Sequence, residues 1–275
     1  MDLAPFVVMH PLLPERPKTV WNRLAAAPRI PQHQIEMIIH KLLAQYFKQR
    51  DDPTFYSFQA QDAVRWIERC GFSIGPKTRV LDLGCGHGLF GAELVKRGCH
   101  VTFADEEQGL LPEISSAPFH RINLDRDDVA TLGEYDLVIC SNVLEHLAKP
   151  GKFLDSVHKI LSPTGVLYLS WTNWLSPWGG HEFSPLHYLG ARRGHLVYDK
   201  LFKRKRKHTP FENLYPTYIG TVMAMIRQSH ELAILRAAPR YYTEFAFLIR
   251  IPILREFLTW NCALLVGRKA PGARL

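Results

Sequence analysis

The chain has 275 residues, of which 47% are apolar, 22% charged and 11% aromatic. This composition supports a large buried core, and it excludes a disordered, a collagen-like or a disulfide-stapled chain. The formal net charge is +8, and the whole excess is C-terminal: residues 1–150 carry −3 and residues 151–275 carry +11. An anionic partner of the C-terminal half is expected, and charge alone does not distinguish nucleic acid, lipid and phosphate.

The five cysteines indicate reduced thiols, because their number is odd and no pair has the CxxC spacing. They are Cys70, Cys85, Cys99, Cys140 and Cys262. The N-terminus carries Asp2 where an export signal is positively charged, so no cleaved signal is predicted. Residues 245–266 are long enough to span a bilayer, but Arg250, Arg255 and Glu256 interrupt them, so no transmembrane helix is predicted there. The predicted location is therefore cytoplasmic.

The first 75 residues precede the main sequence pattern. Residues 1–32 are rich in proline and have no sustained period, so we predict an irregular arm. Apolar residues recur at helical spacing over 34–49 and again over 58–70, where Gly71 ends the pattern. Residues 33–75 are therefore predicted to form two helices that pack over the mouth of the region that follows.

Beyond residue 75, short apolar runs alternate with helical stretches. The predicted strands are 79–83, 100–104, 135–140 and 165–171, and the predicted helices are 89–97 and 152–161. Strands that are apolar on both faces and alternate with helices are typical of a parallel sheet covered by helices. The sequence therefore predicts an α/β fold.

This alternation stops after residue 171. Residues 172–215, which we call the lid segment, are rich in Trp, His, Pro, Gly and basic residues and show no helix or strand period. The chain then closes with a predicted helix, a strand, an amphipathic segment and a last strand. These four cover residues 217–229, 231–237, 241–260 and 262–268.

The sequence GCGHG at residues 84–88 joins the first predicted strand to the helix after it. Because glycines make this turn tight, a ligand can approach its backbone closely. The next strand leads into Asp105, 21 residues after Gly84, where a carboxylate can accept hydrogen bonds from a ribose diol. Asp82 lies just before the glycines. Its charge would repel a pyrophosphate but suits a ligand with ammonium and sulfonium groups.

This segment resembles motif I of the class I S-adenosylmethionine (SAM) dependent methyltransferases, and the resemblance covers residues 79–169. It implies a Rossmann-like seven-stranded sheet, parallel with an antiparallel last strand, preceded by N-terminal helices and with a lid inserted after the fifth strand. Residues 76–275 would then form the methyltransferase domain, with SAM as cofactor. The cofactor-binding positions that it implies are Asp82, Gly84, Cys85, Gly86, Gly88, Leu89, Phe90, Asp105, Leu124, Asp125, Ser141, Asn142 and His146.

The branch that the sequence most resembles is that of the ubiquinone and menaquinone methyltransferases. Some of its members hold a divalent metal through an E-x-x-E-H pattern after the fourth strand, but this chain has Asn142 in place of the first glutamate. Since one carboxylate is missing, no metal is predicted. The sequence around His181, Glu182 and His187 does not form the H-E-x-x-H zinc pattern either.

The resemblance also implies an in-line displacement at the methyl carbon of SAM. The protein must then orient the nucleophile and, for a hydroxyl acceptor, remove its proton. His181 or His187 is the predicted base, with Glu182 orienting an imidazole. The alternative is that these histidines are ordinary hydrogen-bonded loop residues. His146 is expected to pack beside the cofactor rather than to act as a base.

A basic run lies in the lid segment. It consists of Lys203, Arg204, Lys205, Arg206 and Lys207. The run is either a solvated loop or a contact with an anionic bilayer, helped by the amphipathic segment 241–260. That segment could equally be packed within the domain. Contact with nucleic acid is less favoured, because no RNA-binding domain is recognisable.

Residues 171–190, 239–242 and 255–261 also resemble, more weakly, uncharacterised bacterial methyltransferases that are loosely associated with the modification of envelope glycans or glycolipids. The sequence therefore predicts methyl transfer to an oxygen of a sugar or lipid-linked acceptor, at the inner face of the cytoplasmic membrane. Carbon methylation of a quinone-like ring, RNA methylation and a non-catalytic SAM-binding scaffold are the alternatives.

Overall fold

The computed structural model describes His40 and residues 53–203 and 206–269. Its centre is a seven-stranded sheet in the order β3-β2-β1-β4-β5-β7-β6. The strands are β1 (Arg79–Leu83), β2 (His100–Asp105), β3 (Phe119–Arg121), β4 (Tyr135–Ser141), β5 (Leu161–Thr172), β6 (Leu232–Pro239) and β7 (Asn261–Arg268). Strand β7 runs antiparallel to both of its neighbours, and the other pairs are parallel. The predicted seven-stranded sheet with an antiparallel last strand is confirmed.

Six α-helices accompany the sheet in the described part of the chain. They are α1 (Pro53–Arg69), α2 (Leu89–Val95), α3 (Pro150–Ser156), α4 (Ala191–Phe202), α5 (Ile219–Gln228) and α6 (Leu254–Leu258). None of the helices in the described ranges has the length and hydropathy needed to cross a membrane.

The sheet has a core on each face because successive strand residues point to opposite sides. In β1, Val80 contributes to the core that α1 and α2 cover, whereas Leu81 and Leu83 contribute to the core under α3 and α5. All three side chains are fully buried. This is why the strands are apolar on both faces, as is typical of a sheet between two helix layers.

The order of the strands places a crevice above β1 and β4. From β1 the chain moves outward to β2 and β3, and it then returns to β4 on the other side of β1. At such a switch point the connections leave the sheet in opposite directions, so a ligand fits at the carboxyl ends of the strands. The glycine turn after β1 and the residues after β4 both lie at this edge.

The structure divides two of the predicted segments into shorter elements. Helix α3 ends at Ser156, and a 3-10 turn, Val157–Ile160, continues it to β5. The amphipathic segment is a 3-10 stretch, Thr243–Arg250, followed by the short α6. The predicted arm 1–32 and the predicted helix 34–49 lie outside the described residues, apart from His40, which is helical.

The lid segment is more regular than its sequence predicts, because it contains α4. The buried face of this helix is formed by Gly194 and Tyr198, whereas Leu196 and Leu201 are exposed. The helix is amphipathic, contrary to the prediction of no period in this segment, but its apolar side chains lie largely on the exposed side. The helix ends at Lys203, whose φ of +51° is left-handed.

Candidate functional site

The turn between β1 and α2 contains three glycines, and a side chain at each of them would meet different surroundings. Gly84, Gly86 and Gly88 have φ values of +70°, +52° and +76°. A Cβ atom on Gly84 would lie 2.3 Å from Cγ2 of Val143, so the turn packs against the segment after β4. A Cβ atom on Gly86 would meet nothing within 4 Å. Gly86 therefore presents bare backbone to an open space.

That open space is a cavity of about 460 Å³, a size that suits a small-molecule cofactor. Besides the glycine turn, its lining includes Asp82, Leu89 and Phe90 at the start of the motif and Ser141 and Asn142 after β4. Helix α1 closes one side, through Tyr56, Gln59 and Ala60. The second predicted N-terminal helix thus packs over the mouth of the motif region, as the sequence analysis expected.

The carboxylate of Asp82 connects β1 to α2. Its Oδ2 accepts a hydrogen bond from the backbone N–H of Gly91 at 2.7 Å. The side chain is buried, and burial raises its pKa to about 7, with the nearby Asp105 also raising the pKa and the Gly91 hydrogen bond opposing the shift. A cationic ligand in the cavity would stabilise the ionised carboxylate, which agrees with the ammonium and sulfonium groups of SAM.

Asp105, at the end of β2, holds the glycine turn in place. Its Oδ2 accepts from the backbone N–H of Gly86 at 2.7 Å, and its Oδ1 accepts from that of Glu106 at 2.7 Å. Each carboxylate oxygen has a second lone pair. Asp105 can therefore position Gly86 and still accept from a ribose; it is not among the residues that line the cavity, and the ribose contact stays a prediction.

The two predicted residues that follow β3 are engaged in the protein itself. Leu124 belongs to the buried core. The two oxygens of Asp125 accept from the backbone N–H groups of Ala148 and Lys149 at 3.0 and 2.9 Å, just before α3. Neither residue is among those that line the cavity.

Arg240, which the sequence analysis assigned no role in binding, also lines the cavity. It follows β6, and its guanidinium donates to the hydroxyls of Ser141 and Ser170 at 3.1 and 3.3 Å and to the carbonyl of Gln59 at 3.4 Å. The residue is only 3% exposed. No carboxylate of the described residues forms an ion pair with Arg240. Burial raises the pKa of the nearby Asp62 and the charge of Arg240 opposes this shift, but the carboxylate of Asp62 forms its ion pair with Arg65.

The histidines of the lid segment have different surroundings. His187 is buried, and its Nε2 lies 3.0 Å from the carbonyl oxygen of Ser176. Burial lowers the pKa of His187 to about 4. Burial, together with the neighbouring His208 and His146, lowers the pKa of His181 to about 3. Both imidazoles are therefore neutral near pH 7, and neither lines the cavity.

Glu182 orients the imidazole of His208, and not that of His181 or His187, the two predicted bases. Its Oε2 lies 2.9 Å from Nδ1 of His208, and hydrogen bonding with this histidine helps to hold the pKa of Glu182 at about 2, against its burial. His208 and His146 are stacked, with ring centroids 5.2 Å apart. No pattern in the sequence indicates a role for His208, because this residue follows the basic run in a stretch without periodicity.

Comparison with known proteins shows the family to which the chain belongs. The sequence matches the family described as a methyltransferase domain over residues 55–212, more than half of the chain. The chain belongs to this family. An uncharacterized methyltransferase of Mycolicibacterium gilvum is 32% identical over 233 residues, which cover 80% of this chain and 89% of that relative. Another, from Mycobacteroides abscessus, is 30% identical over 246 residues, covering 82% and 91%.

Solved structures agree on the fold of this methyltransferase. A SAM-dependent methyltransferase from Clostridium acetobutylicum has a TM-score of 0.53 at 10% identity, covering 84% of this chain and 98% of that chain. One from Mesorhizobium loti has a TM-score of 0.50 at 18% identity, covering 76% and 98%. The predicted enzyme class, a SAM-dependent methyltransferase, and the predicted cofactor, SAM, are confirmed.

The residues present fit SAM. The bare backbone at Gly86 leaves room for close approach, Asp105 offers acceptors for a ribose, and Asp82 suits a cation. When bound, SAM supplies an electrophilic methyl carbon and a thioether leaving group. The glycine turn and the cavity that it lines lie at the switch point of the sheet.

Proposed function

We propose that this methyltransferase methylates an oxygen atom of a sugar or lipid-linked acceptor held at an anionic membrane surface. The observation that carries the proposal is a set of exposed apolar side chains on the amphipathic segment. They are Phe245, Phe247, Ile251, Ile253, Leu254, Phe257 and Leu258. Ile253 is 72% exposed and Phe247 is 54% exposed. Contiguous apolar surface of this kind marks an interaction site.

Two anchors fix this surface to the domain. Ile249 is 2% exposed and belongs to the core. The carboxylate of Glu256 accepts from the backbone N–H groups of Ile219 and Gly220 at 2.9 and 2.7 Å, at the start of α5. Because these anchors hold the segment against α5, the outward direction of its apolar side chains is part of the fold. This favours docking over the alternative in which the whole segment packs within the domain.

Positive charge in the same half of the chain suits an anionic surface. Arg250 is exposed within the amphipathic segment, and Lys203 and Lys207 are exposed in the lid segment. Each basic residue near an anionic bilayer contributes about 1 kcal/mol. Arg206 is different, since its guanidinium pairs with Asp199 at 2.7 Å and stays in the lid segment. Arg204 and Lys205 lie outside the described residues.

The chemistry of the lid segment supports an oxygen acceptor. A hydroxyl nucleophile must be aligned with the methyl carbon and must lose a proton as the new bond forms. The lid segment holds neutral imidazoles, at His181 and His187, and a neutral imidazole can accept a hydrogen bond. His181 alone is a weak base, since burial lowers its pKa to about 3.

The acceptor class is tested by following the methyl group. Purified enzyme is incubated with SAM that carries a tritiated methyl group and with separate lipid, glycan, quinone and RNA fractions of a bacterial extract. We expect label in the lipid-linked or glycan fraction, and we expect it to resist mild alkali, as an ether does. Label found only in RNA, or on the ring carbon of a quinone, would overturn the proposal.

Membrane docking is tested by vesicle flotation. We expect the protein to float with vesicles that contain about 30% anionic lipid and to bind them less at high salt, which screens the basic residues. The double variant Phe247→Ser, Phe257→Ser should bind at least tenfold more weakly. Each lost phenylalanine removes up to about 1.5–3 kcal/mol of apolar burial.

The matched control is Val95→Ser. Val95 is also an exposed apolar side chain, 40% accessible, but it lies on α2. This variant should float like the unaltered protein. If the control lost binding to the same extent as the double variant, or if neutral vesicles bound the protein equally well, docking through the amphipathic segment at an anionic surface would be wrong.

A further inference from the structure

We propose that His146, His181 and His208 together bind one divalent transition-metal ion, with Zn²⁺ the best match. His146 follows β4, whereas the other two lie at separated positions in the lid segment. One ring nitrogen of each histidine lies within 4.8 Å of a ring nitrogen of the other two. A metal ion here would join the lid segment to the carboxyl end of the sheet.

The hydrogen bonds of two of these histidines leave the correct nitrogen free. Nδ1 of His146 lies 2.7 Å from the carbonyl oxygen of Asn213, and Nδ1 of His208 lies 2.9 Å from the carboxylate of Glu182. A carbonyl and a carboxylate only accept, so each Nδ1 carries the proton and each Nε2 keeps a lone pair. Metal-binding histidines typically have such a partner on the other nitrogen, which fixes the tautomer and the ring orientation.

The third histidine has an unsatisfied nitrogen. Nδ1 of His181 is buried and has no hydrogen-bond partner among the described residues. The ring centroids of His181 lie 4.6 Å from His208 and 5.5 Å from His146. His181 also has a φ of +49°, a left-handed conformation that few residues other than glycine adopt. A residue held in this conformation, with an unpaired buried nitrogen in a histidine cluster, supports a ligand site.

The donor set selects the kind of metal. Three imidazoles suit zinc and its neighbours in the first transition row, whereas magnesium and calcium prefer oxygen ligands. Nitrogen ligands of zinc lie about 2.0–2.1 Å from the metal. The three nitrogens, now within 4.8 Å of one another, would therefore have to come somewhat closer to each other to bind one ion. Glu145, the carboxylate of the E-x-x-E-H pattern that this chain retains, accepts from the backbone N–H of Thr172 at 3.0 Å and is not part of the cluster.

Three protein ligands leave a fourth position open, as in catalytic zinc sites. On the proposed function, this position would take the acceptor hydroxyl, whose pKa the metal would lower. The lid histidines His181 and His208 would then hold the ion instead of acting as bases. This step rests on the proposed oxygen acceptor, whereas the binding of the ion does not.

Metal binding is tested on the full chain without a histidine tag. After treatment with a chelator and its removal, the protein is titrated with Zn²⁺ against a competing indicator dye. We expect one ion per chain at micromolar affinity or better. Titration with Co²⁺ should produce the intense visible absorption of a four-coordinate site. Less than half an equivalent of Zn²⁺, or a six-coordinate Co²⁺ spectrum, would overturn the proposal.

Variants assign the ligands. His208→Ala and His181→Asn should each weaken Zn²⁺ binding at least 100-fold, and Glu182→Gln should weaken it by about 10- to 100-fold through loss of the charged partner of His208. Asparagine is chosen at position 181 because it tolerates a positive φ. His195→Ala is the matched control: this histidine is also in the lid segment, but its Nδ1 pairs with the carbonyl of Ala191 and it lies outside the cluster. It should bind Zn²⁺ like the unaltered protein.

Thermal unfolding separates lost ligands from lost folding. Zn²⁺ should raise the melting temperature of the unaltered protein and of His195→Ala, because a ligand that binds the folded state stabilises it. The ligand variants should fold without metal and show no such rise. Ligand variants that kept the full Zn²⁺ response would disprove the assignment. No acceptor is present in these measurements, so their failure would leave the acceptor proposal standing, and a wrong acceptor would leave Zn²⁺ binding unchanged.

Discussion

Replacing Gly86 by alanine should weaken SAM binding by one to two orders of magnitude while the protein stays folded. The Cβ atom of Gly86 would meet no protein atom within 4 Å and Gly86 lines the cofactor cavity, so we expect the added methyl group to project into that cavity. A cofactor held against the backbone of the turn would have to move away from it and from Asp105. A tenfold loss of affinity corresponds to about 1.4 kcal/mol. Isothermal titration with SAM measures this loss.

The alanine also introduces backbone strain, because φ at Gly86 is +52°. Gly98→Ala controls for this effect. Gly98 has a φ of +79°, is exposed, and would bring its Cβ no closer than 3.5 Å to Pro76. Both variants should lose about 1 kcal/mol of stability, as residues with positive φ do. Equal SAM affinity in the two variants would mean that the cofactor does not lie against the backbone of Gly86.

The cofactor half of the site could be predicted because its signals are local. The strand, the glycine turn and the helix are continuous over residues 79–95, and the acid at the end of the next strand lies one strand-helix-strand unit further on. Backbone geometry alone brings Asp105 to Gly86, since β1 and β2 are paired neighbours. A motif of this kind therefore specifies both the fold and the place of the ligand.

The other half depends on contacts between distant residues, which periodicity does not report. His208 meets Glu182 across the lid segment and His146 across the sheet edge, although no helical or strand pattern surrounds it. Sequence periodicity also does not show whether an apolar side chain points outward or inward. The apolar residues of the amphipathic segment could have packed inward, and the tertiary contacts of Ile249 and Glu256 help to determine which of its faces points outward.

Arg240 is the clearest example of a contact between residues that are distant in the sequence. We expect its replacement to cause a large loss of SAM affinity. The side chain crosses from the end of β6 to Ser141, Ser170 and Gln59, and it places a buried positive charge at the cofactor cavity. Its Nε has no hydrogen-bond partner in the described part of the protein. A buried charge without an ionised partner is costly, so a site of this kind is completed by an anionic ligand group. The carboxylate of the methionine moiety of SAM is such a group.

Arg240→Met should therefore weaken SAM binding by about 10- to 100-fold, because a hydrogen bond to a charged group contributes roughly 1.5–3 kcal/mol. Arg240→Lys should lose part of this affinity, since lysine keeps the charge but not the planar set of donors. The decisive measurement repeats the titration with decarboxylated SAM. This ligand should bind the unaltered protein and the methionine variant with the same affinity, because the group that Arg240 would contact is absent.

The same titrations show whether Arg240 contacts the cofactor or the acceptor. If the methionine variant bound SAM normally but needed more acceptor to reach half-maximal methyl transfer, the guanidinium would serve an anionic acceptor instead. If SAM and decarboxylated SAM lost affinity equally, the arginine would act only by shaping the cavity through Ser141 and Gln59. Thermal unfolding of the variant is measured alongside, because removal of the guanidinium leaves Ser141, Ser170 and the carbonyl of Gln59 without this donor. A specific loss of SAM binding in a stably folded protein would then locate the carboxylate end of the cofactor at Arg240, and with it the direction in which the methyl group points.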